Sequence, residues 1–283
     1  MQLIAAKILP DANPATFDRL SAAARDQIWT ATTVHLLQTR RPNFVLLHLL
    51  VTDSMQHLYG PRSPGAATAF ALADAQLAEV LRALTAAGIR ERTTIFVTSD
   101  HGFARVTQLV NPNVVLRKAG LFRPGPRRRA QAISEGGTAF VYLTAPATMQ
   151  ADRATVLSLL RELPGIAEIL GPDRFAALHL PDPAKNPQMC DLILVAKEGY
   201  AFSDEFFEDD AVTELKTPGG SHGYLASNAK MNGVFIAAGR GIKPGVKLGL
   251  VEIVDVAPTV AAILGEPLSG TEGNVLREIL TDQ

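Results

Sequence analysis

The chain has 283 residues, of which 47% are hydrophobic and 19% charged. That is enough apolar material for one large domain or two small ones, and it excludes a disordered chain. The formal net charge of -1 lacks the basic excess of a nucleic-acid binder, and the single cysteine, Cys190, excludes both an intrachain disulfide and a cysteine-based zinc site.

Met1 to Pro10 lacks the basic start and long apolar stretch of a signal peptide. Ala15 to Thr39 carries apolar residues on a helical period and predicts one helix. Asn43 to Val51 (NFVLLHLLV) is a continuous apolar run that predicts a strand buried on both faces, as in a parallel sheet. Ala66 to Ala87 predicts a long helix closed by Gly88, and Thr93 to Thr98 a second buried strand. Strand, helix, strand in that order is a crossover unit of α/β architecture. From about residue 106 to 187 proline and glycine become frequent, and only one strand (Thr138 to Leu143) and one helix (Ala154 to Leu163) stand out; this stretch is expected to be an inserted α+β subdomain. Strand texture returns at Asp191 to Ala196 and Gly233 to Ala238, and a last helix is expected near Ile253 to Leu264. No apolar run reaches the roughly 18–20 residues that a membrane helix needs.

Chemistry-bearing residues gather where two of these segments end. The first apolar run leads into Thr52-Asp53-Ser54-Met55-Gln56-His57, and the second into Ser99-Asp100-His101-Gly102. Open α/β sheets bind ligands beyond the carboxyl ends of their strands, and two parallel neighbours would set both Asp-His pairs side by side. Imidazole and carboxylate are the zinc ligands available without cysteine. A third candidate is His222 in Gly-Gly-Ser-His-Gly-Tyr, where flanking glycines imply tight, close-approaching backbone rather than a core site. Asp53, His57, Asp100, His101 and His222 are too many ligands for one catalytic zinc and fit a two-metal site. The remaining histidines have ordinary readings: His48 as a satisfied core residue of the apolar strand, His35 on a helix, His179 in the inserted region. Arg127 to Arg129 reads as a solvated face. Residues 219–223 also match G-x-S-x-G, the serine-hydrolase elbow. The acidic, broken segment before it, the short polar one after it and the lack of any histidine beyond His222 speak against that reading.

On these motifs the chain resembles a known family. DSMQHLYGPRSP, TTIFVTSDHGF and GGSHGYLASNAKMNGVFIAAGRGIK are similar, in order and spacing, to segments of the nucleotide pyrophosphatase/phosphodiesterases of the alkaline phosphatase superfamily. The resemblance spans about residues 40 to 265. It implies an alkaline-phosphatase-like three-layer α/β sandwich with a mostly parallel central sheet. It also implies hydrolysis of phosphodiester or nucleotide pyrophosphate bonds with two divalent metal ions, most naturally zinc. Asp53, His57 and His222 would bind one ion, Asp100 and His101 the other, and the partner would be a small phosphate-ester substrate. The family completes its second site with an upstream aspartate and a threonine or serine nucleophile, for which this chain offers no counterpart. The expectation is therefore one incomplete catalytic domain over residues 1–283, an N-terminally truncated enzyme whose nucleophile is not identified here. Rival expectations are a phosphomonoesterase or phosphonate hydrolase of the same superfamily, and a non-catalytic metal-binding module. Natural substrate, oligomeric state and compartment are not legible in the sequence; export stays open, since a lost N-terminus would remove any leader.

Overall fold

The computed structural model describes residues 2–9, 11, 13–125, 128–266 and 268–281. Its helices in chain order are α1 (Gln2–Ala5), α2 (Pro14–Asp18), α3 (Ala22–Thr39), α4 (Val51–Tyr59), α5 (Pro64–Ala86), α6 (Pro112–Lys118), α7 (Met149–Arg161), α8 (Pro172–Phe175) and α9 (Val256–Leu264). The strands are β1 (Thr94–Thr98), β2 (Ala104–Val110), β3 (Ala130–Ser134), β4 (Thr138–Leu143), β5 (Ile166–Leu170), β6 (Leu192–Ala196), β7 (Gly199–Phe202), β8 (Val212–Ser221) and β9 (Phe235–Gly239). The protein is a mixed α/β fold, as the strand and helix texture of the sequence implies. Among the described residues no helix is long and apolar enough to cross a membrane.

The chain divides into two compact units. The first comprises Met1–Val51, Phe70–Asp100 and Gly233–Gln283. Its core brings Leu37 of α3 against Ala83 and Leu84 of α5 and against Ile89, with Val45 and Ile95 packed on them. The long helix expected from Ala15 is two helices, because the Ser21 side chain accepts from the Ala24 backbone and starts α3 afresh. The strand expected over Asn43–Val51 forms no ladder among the described residues. Val45 reaches the core while Phe44 and Leu46 stand exposed, so the run is buried on one side only. Its end is set by Asp26, fully buried on α3, whose carboxylate oxygens accept from the backbone of Leu50 and Val51, each at 2.8 Å. A carboxylate on those amides is a helix-starting contact, and Val51 opens α4. His48 is a further correction: it is exposed and stacks on Trp29, with ring centroids 6.0 Å apart. β1 pairs with β9, and the pair is antiparallel.

The second unit comprises Thr52–Ala69 and His101–Asn232. It contains a four-stranded antiparallel sheet in the order β3-β4-β6-β5 and a three-stranded sheet in the order β7-β2-β8. β2–β7 is the one parallel ladder among the described residues. β6 explains why apolar runs mislead about pairing. Leu192, Leu194 and Ala196 enter one core with Leu116 and Leu160, while Ile193 enters another with Leu170, Phe175 and Cys190. A continuous run such as LILVA thus reports burial on both faces, which a central antiparallel strand satisfies as well as a parallel one. In the basic stretch, Arg127 lies outside the described residues. Arg129 is not simply solvated, since its guanidinium pairs with the buried carboxylate of Asp152.

Candidate metal centre

Three local structures of the second unit carry the Asp and His side chains to one place. The first is α4. Asp53 and His57 lie four residues apart on it, so one helix face presents both; they do not form a pair at a strand end. The second is the β2–β8 ladder, whose register sets Ala104 opposite Ser221. His101 lies just before β2 and His222 just after β8, so the ladder fixes both at the same end of the sheet. The third is the glycine pair ahead of His222. A Cβ on Gly219 would stand 2.6 Å from the His57 carbonyl oxygen, and one on Gly220 would stand 2.5 Å from that of Gln56. Only glycine lets the end of β8 approach the last turn of α4 this closely.

Asp53 Oδ1 is the centre of the cluster. It lies 3.5 Å from His57 Nε2, 3.7 Å from His222 Nε2 and 4.0 Å from His101 Nε2. The Asp53, His57 and His222 ligand atoms all fall within 4.8 Å of one another. The His101 and His222 rings stack with centroids 3.8 Å apart. His57 Nδ1 lies 3.0 Å from the Gly220 carbonyl and His101 Nδ1 3.0 Å from that of Gly102. A carbonyl oxygen only accepts, so each contact makes Nδ1 the donor and leaves Nε2 as the ring nitrogen on the Asp53 side. Imidazole nitrogens gathered around a carboxylate oxygen are a donor set that a cation can complete. Around a tetrahedral zinc with bonds of about 2.0–2.1 Å, neighbouring donors stand about 3.3–3.5 Å apart, close to the two shorter separations. The residues present therefore fit a divalent ion. Asp100 lies on the bend after β1, exposed, as the last residue of the first unit's central segment.

Two features of the site were not read from the sequence. Phe103 sets its ring against all three imidazoles, with centroids 5.0 Å from His57, 5.5 Å from His101 and 5.4 Å from His222. The available signal was a large apolar residue directly after Asp-His-Gly. The other feature is the clamp on the His222 loop. Gly137 N donates to the His222 carbonyl at 2.7 Å, and Thr138 Oγ1 donates to that of Gly223 at 2.9 Å. Tyr224 lies over Gly137 and donates its hydroxyl to the Tyr200 carbonyl at 2.5 Å. Burial, with the charge of Glu198 behind it, pushes that hydroxyl up to about 12. The serine-elbow reading fails on this geometry. Ser221 does end a strand, β8, contrary to the broken segment expected there, but the next element among the described residues is a single 3-10 turn at Ala229–Met231, not the α-helix that an elbow runs into. Ser221 is buried, and its hydroxyl donates to the His222 carbonyl at 3.3 Å.

Fold and cluster together define an α/β protein with an Asp/His site suited to a divalent cation. The profile of the family described as type I phosphodiesterase / nucleotide pyrophosphatase matches residues 8–225, and the chain belongs to that family. Among curated proteins it is 25% identical over 252 residues to the bis(5'-adenosyl)-triphosphatase ENPP4 of Homo sapiens, a match covering 85% of this chain and 49% of that protein. It is 24% identical over 240 residues to the Xenopus laevis counterpart, with 82% and 47% covered. The chain thus spans about half the length of the curated relatives it matches. Among solved structures it is similar to an inactive form of murine ectonucleotide pyrophosphatase / phosphodiesterase 5 in complex with AMP. That likeness has a TM-score of 0.71 at 18% identity and covers 93% of this chain and 64% of that one. The human counterpart gives 0.68 at 18% identity, with 93% and 65% covered. These structural likenesses establish the alkaline-phosphatase-like fold.

Proposed function

We propose that this chain carries the metal-holding part of a hydrolase of phosphodiester or nucleotide pyrophosphate bonds that works with two divalent ions, zinc being the ion its donors suit. The observation that supports it best is the meeting of Asp53, His57 and His222, from a helix and a glycine-rich strand end, with ligand atoms within 4.8 Å of one another. In this reading those three hold one ion, while His101 with Asp100 serves the second. Bound metal supplies Lewis-acid stabilisation of charge on the phosphoryl oxygens and activation of a hydroxyl or water. The chain's own residues do the positioning. The Gly220 and Gly102 carbonyls fix the tautomers of His57 and His101, and Phe103 covers the rings on one side, restricting water there. The proposal extends to organisation, with residues 1–283 as one incomplete catalytic domain and about 106–187 inserted into it. No nucleophile is assigned within this chain.

Two measurements test the reading. Elemental analysis of the purified chain is expected to find zinc that falls sharply in His222→Ala. Zinc-supplemented protein is then offered a chromogenic phosphodiester and the matching monoester, and preference for the diester is expected. A folded chain without metal would remove the site, and faster turnover of the monoester would replace the diesterase reading with the monoesterase one. Metal without turnover of either ester would leave this chain a metal-binding module.

A further inference from the structure

The ligand-bearing face of α4 depends on where that helix starts. Asp53 is its third residue and His57 its seventh, so the two share a face only while both lie inside the helix. The local sequence favours a different start. Leu50, the residue before α4, belongs to the poorest class of capping residues, whereas Thr52, Asp53 and Ser54 belong to the best. A helix capped by Asp53 would begin after it and would commit its carboxylate to the amides two or three residues on. An acidic residue at the third position has a second local use, reaching back to the amide just before the helix. Asp255 does this elsewhere in the chain: it is the third residue of the 3-10 turn Ile253–Asp255 and accepts from Glu252 N at 3.3 Å.

Asp53 does neither. Among the described residues its carboxylate accepts from no backbone amide, and Oδ1 faces the Nε2 atoms of His57, His222 and His101 instead. The amides at the start of α4 are already taken. Leu50 N and Val51 N each donate at 2.8 Å to Asp26, one to each carboxylate oxygen. Asp26 lies on the buried face of α3 with Thr30, Thr33 and Leu37, and is itself fully buried. Among the described residues no cationic side chain pairs with it. A carboxylate buried without a counter-ion is costly in a core, so this contact secures more than filling of the space. The other end of α4 is held by the close approach of Gly219 and Gly220 to the His57 and Gln56 carbonyls. Both ends of the helix are thus fixed from outside it.

Building on the metal-site reading above, we infer that Asp26 is a positioning residue of the metal centre. By taking the Leu50 and Val51 amides it starts α4 ahead of Asp53 and relieves Asp53 of both capping tasks. The Asp53 carboxylate is left for an ion, on the same face as His57. Asp26 is not itself a ligand; it acts through those two residues.

The test reads metal binding rather than turnover. Zinc affinity of the full chain is measured by competition with a chromogenic chelator, and the visible spectrum of the cobalt(II)-loaded protein reports the donor set. Asp26→Asn keeps the shape of the side chain but offers one acceptor oxygen to two amides. It is expected to bind zinc about tenfold or more weakly than wild type, the range found when a residue supporting a metal ligand is lost, and to change the cobalt spectrum. Asp26→Asn/Leu50→Asp supplies a cap directly before α4 and is expected to recover most of the affinity, which a merely structural loss would not do. Leu84→Ala opens the core of the same unit and is expected to lower the melting temperature while keeping wild-type affinity and spectrum. Equal affinity in wild type and Asp26→Asn would overturn the inference alone, as would an equal loss in Leu84→Ala or no recovery in the capped variant. If Asp26→Asn does not fold, the capped variant decides: zinc bound as in wild type supports the inference, and weak binding or failure to fold overturns it. Wild type that binds no zinc would remove the metal-site reading and the inference with it.

Discussion

Gly223 shows how narrowly the His222 loop is specified. Its backbone has φ of +74°, and a Cβ there would stand 1.7 Å from the Glu135 carbonyl oxygen. Left-handed strain alone costs about 1–2 kcal/mol for a residue with a Cβ, and backbone cannot yield the missing space cheaply. Gly223→Ala is therefore expected to lower stability by more than that and to reduce zinc content with it, measured by chemical denaturation and elemental analysis on one preparation. Tyr224 holds the same loop from its other side. Because burial raises its hydroxyl to about 12, its contribution is complete below the ordinary tyrosine range near pH 10 and is lost as pH rises through about 12. Tyr224→Phe should cost about 1 kcal/mol at neutral pH and should flatten the alkaline limb of the stability curve. Asp152 behaves in the opposite sense. Burial pushes its carboxyl up, but hydrogen bonds from Arg129 and Thr148 outweigh that and hold it below the usual carboxylate range. Its stabilisation is therefore present above about pH 3.9 and lost as pH falls through the lower folded value. Arg129 is about half exposed, with 44% of its side chain accessible, so solvent screening limits what the pair contributes. At this scale the sequence was informative about side chains and silent about backbone. Asp53, His57, His101 and His222 could be named from residue type and spacing, whereas the Gly220 and Gly102 carbonyls that orient two of the imidazoles leave no mark in a sequence.

At the scale of elements, legibility followed burial. β4 was expected within the bounds it has, Thr138–Leu143, and β6 within a residue of its bounds, because both lie inside a sheet packed on two faces. β2 and β8 were missed. ARVTQLV and VTELKTPGGS mix charged and small residues, because a ladder with one accessible face does not demand an apolar run. α4 was missed for another reason. The apolar run 43–51 flows into it without a break, and the contact that turns the chain helical comes from Asp26, some 24 residues upstream in sequence; a local pattern cannot reveal it. This error did not hide the ligands, since an i,i+4 helical pair and a strand-end pair use the same two residues. Burial also ranks the elements by stability. Leu194 is fully buried in the larger core, and Leu194→Ala is expected to cost about 2–5 kcal/mol, read as a shift in denaturant midpoint. The equivalent truncation at Leu46, which is 84% exposed, should cost little.

For the whole molecule the distribution of apolar surface matters most. The second unit buries its large side chains in two clusters. The first has a small core around Leu37 and Leu84, while Phe44, Leu46, Ile236, Leu250 and Ile253 are exposed. Its only described sheet is the two-stranded pair β1–β9, and two strands alone are marginal in water. Residues 44–50 lie nearby in sequence to that unit's helices as an apolar stretch with no ladder of its own, which makes it a template for another strand. A strand laid on this stretch would remove Phe44 and Leu46 from water, at about 1.5–3 kcal/mol for each side chain fully covered. The 283-residue chain studied alone is therefore expected to self-associate with rising concentration in sedimentation velocity and to bind a hydrophobic dye. Phe44→Lys/Leu46→Lys should reduce both without lowering stability, because neither side chain is part of the core it would leave. A monomer at all concentrations with no dye bound would show that this surface is tolerated in water as it stands, and the case for a covering strand would fall.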